Sequence, residues 1–382
     1  MTNIAIIGTG FVADLYMRSL ATFPDLRLVG AHDTRPDAQR RFCDHWKVPG
    51  FDTRDDLLAA LGADGIVLNL TNPGAHFEVS KACLEAGHHV YSEKPLATRT
   101  EDAKALCALA QERGLMIGSA PCSYLSEAAQ TVAAAVRSDV LGRPRLIYAE
   151  LDDDFIPQAP YRKWLSESGA PWPAEDEFRV GCTLEHAGYY LTWLIATFGT
   201  IRTVVAASAH VVADLLPVED AAPDFSVATL FFESGLVARL TCSIAAPHDH
   251  RLKIIGDKGV LQLDEAWNNT AKVGFRKRFV LRRKLITAPI ARRLRLTDDT
   301  HPKVGRWGAA AMNFALGPAE MARALQDGRP SRVGADLALH LTEVTLAIQN
   351  AGEDTGAQRM TTRCDPVTPM PWAQQIKGQA ND

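Results

Sequence analysis

Apolar and polar residues follow two different rhythms along the chain, and the change of rhythm divides it. Over the first 120 residues, short apolar runs at Asn3–Ile7, Leu26–His32, Gly65–Leu70, His89–Ser92 and Leu115–Gly118 read as strands. Between them, apolar positions recur every three or four residues, which predicts amphipathic helices near Val12–Phe23, Pro36–Trp46, Ala75–Ala86 and Glu101–Arg113. Strands alternating with helices predict an α/β domain with a doubly wound parallel sheet. An alanine-rich helix over Leu125–Arg137 leads out of it. The expected division is one domain over residues 1–122 and another over 123–382.

From Arg145 the pattern turns to strands without intervening helices: Arg145–Glu150, Thr203–Val212, Val227–Phe232, Leu236–Ile244, Arg251–Ile255 and Val260–Leu263. Gly256-Asp257-Lys258-Gly259 supplies turn residues between the last two, which is hairpin chemistry. The second domain is therefore expected to be α+β with a mainly antiparallel sheet. One helix over Cys182–Phe198 precedes most of these strands, and two more, Ala310–Gln326 and Ala335–Asn350, close the chain. Two segments fit neither rhythm. Asp152–Glu177 is polar and contains prolines and the aromatics Tyr161, Trp164 and Trp172; long loops of this kind often carry function. Phe275–Arg295 holds nine basic residues and no acid.

Composition narrows the function classes. A chain of 382 residues exceeds the usual single-core size, in agreement with two domains. The formal net charge of −4 gives no general attraction to nucleic acid or anionic membrane. The seven cysteines are scattered without a CxxC pair, which suits a reducing compartment and argues against a disulfide framework or a cysteine zinc site. The N-terminus shows no export signal, and no apolar run approaches the roughly 20 residues that span a bilayer. A cytoplasmic protein that is not an integral membrane protein and does not bind nucleic acid is expected.

The first specific chemistry lies at Gly8-Thr9-Gly10-Phe11-Val12-Ala13, between a predicted strand and a predicted helix. Gly8 permits the tight turn, Gly10 lets the backbone approach a pyrophosphate, and Ala13 takes the helix-packing position. The helix N-terminus offers unpaired N–H groups to phosphate oxygens. Asp33, 20 residues beyond Ala13 at the end of the second strand, is placed to accept ribose hydroxyls. Together these predict a Rossmann nucleotide site. Asp33 repels a 2′-phosphate and favours NAD slightly; Arg35, Arg40 and Arg41 would neutralise one if turned inward, so NADP stays open.

Glu93-Lys94-Pro95 follows the strand His89–Ser92, at the sheet edge where ligands of open α/β sheets bind. Pro95 restricts Lys94 to extended conformations and so helps to hold its amine in place. The glycine turn, then Thr71-Asn72-Pro73 with His76, then the run Ala86 to Ala97 containing Glu93-Lys94-Pro95, resemble the Gfo/Idh/MocA oxidoreductases over roughly residues 3–350. The resemblance implies a Rossmann domain followed by an open-faced antiparallel sheet domain, and hydride transfer on a secondary alcohol of a sugar, cyclitol or polyol. It implies that Gly8, Thr9, Gly10, Phe11, Val12, Asp33, Arg35, Thr71, Asn72, Pro73, His76, Glu93 and Lys94 serve the cofactor, with Lys94 at the reacting oxygen. A homodimer or homotetramer is the expectation at the level of the fold.

The family also carries a helical aspartate followed four residues later by an acid/base histidine. Glu185 and Tyr189 stand at these positions, a departure from that pattern. Residues four apart share one helix face, and a nearby ammonium such as Lys94 would bring the tyrosine down from its usual pKa of about 10. Lys94, Glu185 and Tyr189 are thus the expected catalytic group, and Lys94, Trp164, Glu185, His186 and Tyr189 the expected substrate contacts. His186 is expected to face about 100° away, as a supporting residue. Asp152-Asp153-Asp154 reads equally as a sugar contact or an acidic surface turn, and Trp164 and Trp172 as stacking faces or lid anchors. His248-Asp249-His250 lacks a third ligand in sequence and is expected to be a solvated loop, with no metal. The basic stretch reads as a solvated hairpin or subunit contact before an anion grip. Two alternatives remain at this stage: an NAD-dependent glycosidase of the same fold, and a non-catalytic NAD(P)-sensing protein.

Overall fold

Five N-terminal runs become one parallel sheet because they are apolar on both faces, as strands covered on both sides must be. In the computed structural model, which describes residues 1–378, these are β1 (Thr2–Ile7), β2 (Leu26–His32), β3 (Ile66–Asn69), β4 (His89–Ser92) and β5 (Ile117–Ser119). All four residues of β3 and of β4 are buried. The intervening helices are α1 (Phe11–Leu20), α2 (Pro36–Trp46), α3 (Arg54–Leu61), α4 (His76–Glu85) and α5 (Thr100–Glu112). The strand order β2-β1-β3-β4-β5 places the topological switch between β1 and β3, where a crevice opens beyond the strand ends.

After α6 (Glu127–Arg137) the chain enters a second sheet. Its strands are β6 (Pro144–Asp152), β7 (Ile201–Ala209), β8 (Phe225–Phe232), β9 (Val237–Ser243), β10 (Leu252–Gly256), β11 (Gly259–Leu263), β12 (Gly274–Leu281), β13 (Lys284–Thr287), β14 (Arg292–Arg293) and β15 (Gln358–Arg359). They run in the order β13-β12-β11-β10-β6-β9-β8-β7-β15, with β14 paired to β12. Every pairing is antiparallel except β6 with β9. Burial alternates residue by residue along β8, the signature of a sheet with one packed face. The basic stretch forms the β12–β13 hairpin, with Arg282 at φ +55° in its turn and with Val280 and Leu285 exposed.

Between β6 and β7 the chain forms α7 (Ala174–Val180) and α8 (Gly188–Phe198), and it closes with α9 (Leu316–Asp327) and α10 (Ala335–Gln349). Gly188 to Ala196 are all buried, as expected of a helix apolar on every side. Two helix expectations need correction. The helix expected from Ala310 starts at Leu316, because Pro318 lacks an amide hydrogen and is tolerated only in a first turn. The helix expected from Cys182 begins with a π-helical turn, Thr183–Ala187, and becomes α-helical only at Gly188. Of larger consequence, α9 packs on β3, β4 and β5, and α10 on α5. The C-terminal segment thus covers the first sheet: Gly317 sits so close to buried Tyr91 that a Cβ there would lie 2.3 Å from the ring. No described helix is long and apolar enough to cross a membrane.

Candidate functional site

The end of β1 meets the end of β3 at Gly8, which adopts φ +95°. A Cβ at Gly8 would lie 2.6 Å from the Leu70 carbonyl carbon, so only glycine fits this turn. Gly10 caps α1 with extended backbone and no side-chain cap, so the first amides of the helix stay free for an anion. A Cβ at Gly10 would meet nothing within 4 Å, so its open side faces space that a pyrophosphate can enter. The residues present therefore fit a dinucleotide.

Gly10, Phe11 and Val12 form one end of a cleft of about 610 Å³. Thr71, Asn72 and Pro73 and then Glu93 and Lys94 line it from β3 and β4, while Glu185, His186 and Tyr189 close it from the π turn and α8. Trp164 and Trp172 wall it from the long polar loop. That loop is clamped to the first sheet: Asp14 of α1 accepts hydrogen bonds from the Ser168 amide (2.8 Å) and hydroxyl (2.9 Å), and from Trp46 Nε1 (2.5 Å). Tyr161, Trp164, Trp172 and Phe178 stack edge to face beneath it, so the two tryptophans anchor the loop as well as line the cleft.

Lys94 Nζ bonds Glu185 Oε2, joining the two halves of the cleft. The Glu185 side chain is 3% exposed and that of Lys94 18%, so the ammonium is the member that reaches the cleft. Glu93 is buried and positions the turn by accepting from Tyr16 Oη (2.7 Å) and from the Lys94 amide (3.1 Å). Burial, and then the neighbouring Glu93, hold the Tyr16 phenol well above its usual range, so Tyr16 remains a donor.

Several expected residues play different parts. Thr9 points inward, and its amide (2.8 Å) and hydroxyl (2.9 Å) both donate to Asp33 Oδ2. Asp33 also accepts from the Arg35 amide (2.9 Å) and Nε (3.2 Å), so its carboxylate is largely engaged within the protein. Burial raises its pKa, but the bonds from Arg35 and Thr9 outweigh this and leave it below the usual carboxylate value. The Arg35 side chain, 63% exposed, lines the cleft together with Arg41. His76 is wholly buried and away from the cleft; its ring nitrogens meet the carbonyls of Pro95 (2.7 Å) and Thr71 (2.9 Å). It ties together the two loops that line the cleft without lining it.

Around the second-domain helix the corrections are larger. His186 lines the same cleft as Glu185 and Tyr189, so its place one residue along the π turn does not keep it out. Burial, and then Lys94 and His250, push its imidazole down to about 3, so it is neutral at physiological pH. Lys94 is not among the groups that set the Tyr189 phenol, so the expected lowering does not occur. Burial, followed by Glu93 and Glu177, holds the Tyr189 phenol well above its usual value. Tyr189 is therefore a proton-holding donor, not a tyrosinate base.

Sequence reasoning missed Glu177 and Trp267, both in the cleft wall. Glu177 ends the polar stretch already singled out; burial raises its pKa and Lys94 opposes the rise. Trp267 follows β11 and stands 6.0 Å, centroid to centroid, from both Tyr189 and His186; no periodicity marks it. The expectation of a solvated His248-Asp249-His250 loop without a third ligand is also overturned. His250 is fully buried, and Asp153, another cleft residue, lies beside both histidines.

Residues 2–120 match the model of an oxidoreductase family with an NAD-binding Rossmann fold, and residues 129–262 match the Gfo/Idh/MocA C-terminal domain. The chain belongs to the Gfo/Idh/MocA oxidoreductase family. Among its relatives, the uncharacterized oxidoreductase YfiI of Bacillus subtilis is 27% identical over 52% of this chain and 51% of its own length. The UDP-N-acetylglucosamine 3-dehydrogenase of Acidithiobacillus ferrooxidans is 29% identical over 40% of this chain and 46% of its own. The match thus spans about half the length of these relatives. The whole fold is shared with the aldose-aldose oxidoreductase of Caulobacter crescentus: TM-score 0.71, 19% identity, 94% of this chain and 99% of that one. The Lys94–Glu185 bond is the feature that joins the two halves of the cleft.

Proposed function

We propose that this Gfo/Idh/MocA member is an NAD(P)-dependent oxidoreductase acting on a secondary alcohol, or the matching ketone, of a sugar, cyclitol or related polyol. The observation that carries the reading is the convergence of Lys94, Glu185 and Tyr189 on one cleft whose other end is the glycine turn. The bound nicotinamide supplies the hydride acceptor or donor. Lys94 hydrogen-bonds the reacting oxygen and relays its proton: the ammonium passes one proton to the Glu185 carboxylate to which it is bonded and takes the hydroxyl proton in its place. Tyr189 donates a hydrogen bond to the same oxygen or its neighbour, which its raised pKa permits across neutral pH. The polar walls and Trp164 suit a hydroxylated ring, and the similarity to a UDP-N-acetylglucosamine dehydrogenase supports a sugar-like substrate. We further propose residues 1–122 as the cofactor domain and 123–382 as the substrate domain.

For the cofactor, the ionised Asp33 favours NAD, but its bonds to Arg35 soften the exclusion of a 2′-phosphate, so the preference is small. Exposed Leu146 and Val205 on the second sheet support a homo-oligomer, which sedimentation would report. The decisive experiment is a panel of sugars, cyclitols, polyols and nucleotide-linked sugars with NAD and NADP, read by absorbance of the reduced cofactor. The reading predicts turnover with at least one panel member; cofactor binding without turnover on any of them would overturn it. Tyr189→Phe is expected to lower kcat about 100-fold with little change in thermal stability, the cost of one donor aimed at the reacting oxygen. Unchanged kcat would remove Tyr189 from the chemistry.

A further inference from the structure

Asp152 and Asp249 exchange backbone hydrogen bonds (3.1 and 2.9 Å) in an isolated antiparallel bridge. Side chains two residues apart on an extended segment share a face, so His248 and His250 project together. Their rings lie 4.0 Å apart, centroid to centroid. Asp153 follows Asp152 on the opposing segment, and its Oδ1 is 3.9 Å from His248 Nδ1 and 3.9 Å from His250 Nε2.

The outer nitrogens of the two rings are both engaged by one carboxylate. Glu265 meets His250 Nδ1 at 2.9 Å and His248 Nε2 at 3.1 Å. Acting as acceptor for both, Glu265 sets each neutral ring in the tautomer whose lone pair faces Asp153. This is the arrangement by which outer carboxylates orient histidine ligands. His250 Nε2 has no hydrogen-bond partner among the described residues, although His250 is 0% exposed. A buried nitrogen left in this way costs about 1–3 kcal/mol unless something fills the gap it faces. The main chain around it is held: Tyr190 Oη donates to the His250 carbonyl, and the Asp153 amide donates to Ser243 O (2.9 Å).

We propose that Asp153, His248 and His250 bind a divalent cation of the Zn²⁺ class, with Glu265 as the outer carboxylate that positions both imidazoles. Bonds of about 2.0–2.1 Å in a tetrahedral site separate ligand atoms by about 3.4 Å. Closing the two Asp153–histidine separations from 3.9 Å takes a few tenths of an ångström on each side, and all three ligand atoms already lie within 4.8 Å of one another. Two imidazoles select Zn²⁺, Co²⁺ or Fe²⁺ over Mg²⁺ and Ca²⁺, which prefer all-oxygen shells. Three protein ligands leave the fourth position open, as in sites that bind a ligand rather than only brace a fold. Asp153 also lines the cleft that holds Lys94 and Tyr189, so a cation held there adjoins the substrate space. The cation site stands without the proposed hydride chemistry, because its binding is measured on the protein alone.

The test is calorimetric titration of Zn²⁺ into the untagged, chelator-treated full chain, followed by Co²⁺ with its visible spectrum. One equivalent of Zn²⁺ per chain is expected, and Co²⁺ should show the intense bands of a tetrahedral N/O site. His248→Ala, at an exposed position that does not threaten folding, and Asp153→Asn should each abolish the Co²⁺ bands. Glu265→Gln should weaken Zn²⁺ binding by about 10–100-fold, the usual effect of losing an outer carboxylate. No Zn²⁺ binding by the wild-type chain, or equal binding by wild type and His248→Ala, would overturn the proposal.

Discussion

Replacing Lys94 with alanine is expected to lower turnover by at least about 100-fold while changing cofactor affinity by less than about tenfold. The loss in kcat follows from removing the group that takes the proton at the reacting oxygen. A second effect accompanies it. Glu185, 3% exposed, loses its cation, and an unpaired buried carboxylate costs about 3–5 kcal/mol. The cost should fall at the low end of that range, because the cleft admits water to the place Lys94 leaves. Thermal stability therefore falls as well, and a loss of activity by itself would be ambiguous. The double variant Lys94→Ala/Glu185→Gln separates the two effects, since it removes the stranded charge. Its melting temperature is expected to return most of the way to wild type, while kcat stays low. If turnover returned with stability, Lys94 would serve only to neutralise Glu185, and the assignment of the proton to it would be wrong.

Gly8→Ala and Gly10→Ala, two residues apart, are expected to fail in opposite ways. At Gly8 a side chain meets backbone at 2.6 Å in a conformation of φ +95°. The left-handed strain costs about 1–2 kcal/mol and the overpacking about 1–3 kcal/mol more. Because the clash is with main chain of β3, no rotamer relieves it. Gly8→Ala should therefore lose several degrees of melting temperature or accumulate insoluble. At Gly10 a methyl group meets nothing within 4 Å of the protein, so thermal stability should match wild type. The same methyl group occupies the space through which a pyrophosphate approaches the α1 amides, so cofactor affinity should fall by about tenfold or more. Thermal melts and cofactor titrations on both variants check the pair. Normal cofactor binding by Gly10→Ala would place the phosphates elsewhere in the cleft.

The glycine turn and the strand–helix alternation were readable in the chain because both are local. An apolar run of four or five residues, and a turn that admits no Cβ, depend on neighbours a few positions away. Glu93-Lys94-Pro95 was readable for the same reason: its place at the end of β4 follows from the strand before it. That Lys94 and Glu185, 91 residues later, belong to one site entered only through the family resemblance, and the fold supplies the contact.

What depended on distant segments or on excluded water came only with the tertiary structure. The direction of the Tyr189 pKa follows from its burial, and a helix pattern does not encode how much protein covers one side chain. The π turn ahead of α8 leaves almost the same apolar periodicity as an α turn. Asp33 proved to be held by Thr9 and Arg35, His76 by two loop carbonyls, and the first sheet by α9 from some 200 residues further along the chain. Asp153 meets His248 and His250 because the end of β6 runs antiparallel to the segment that leads into β10, which no spacing along the chain reveals. Sequence by itself determined the elements and the nucleotide turn, because these rest on local sterics and periodicity. Which side chains share a cavity, and in what protonation state, was decided by packing, because burial and electrostatics sum over the whole fold.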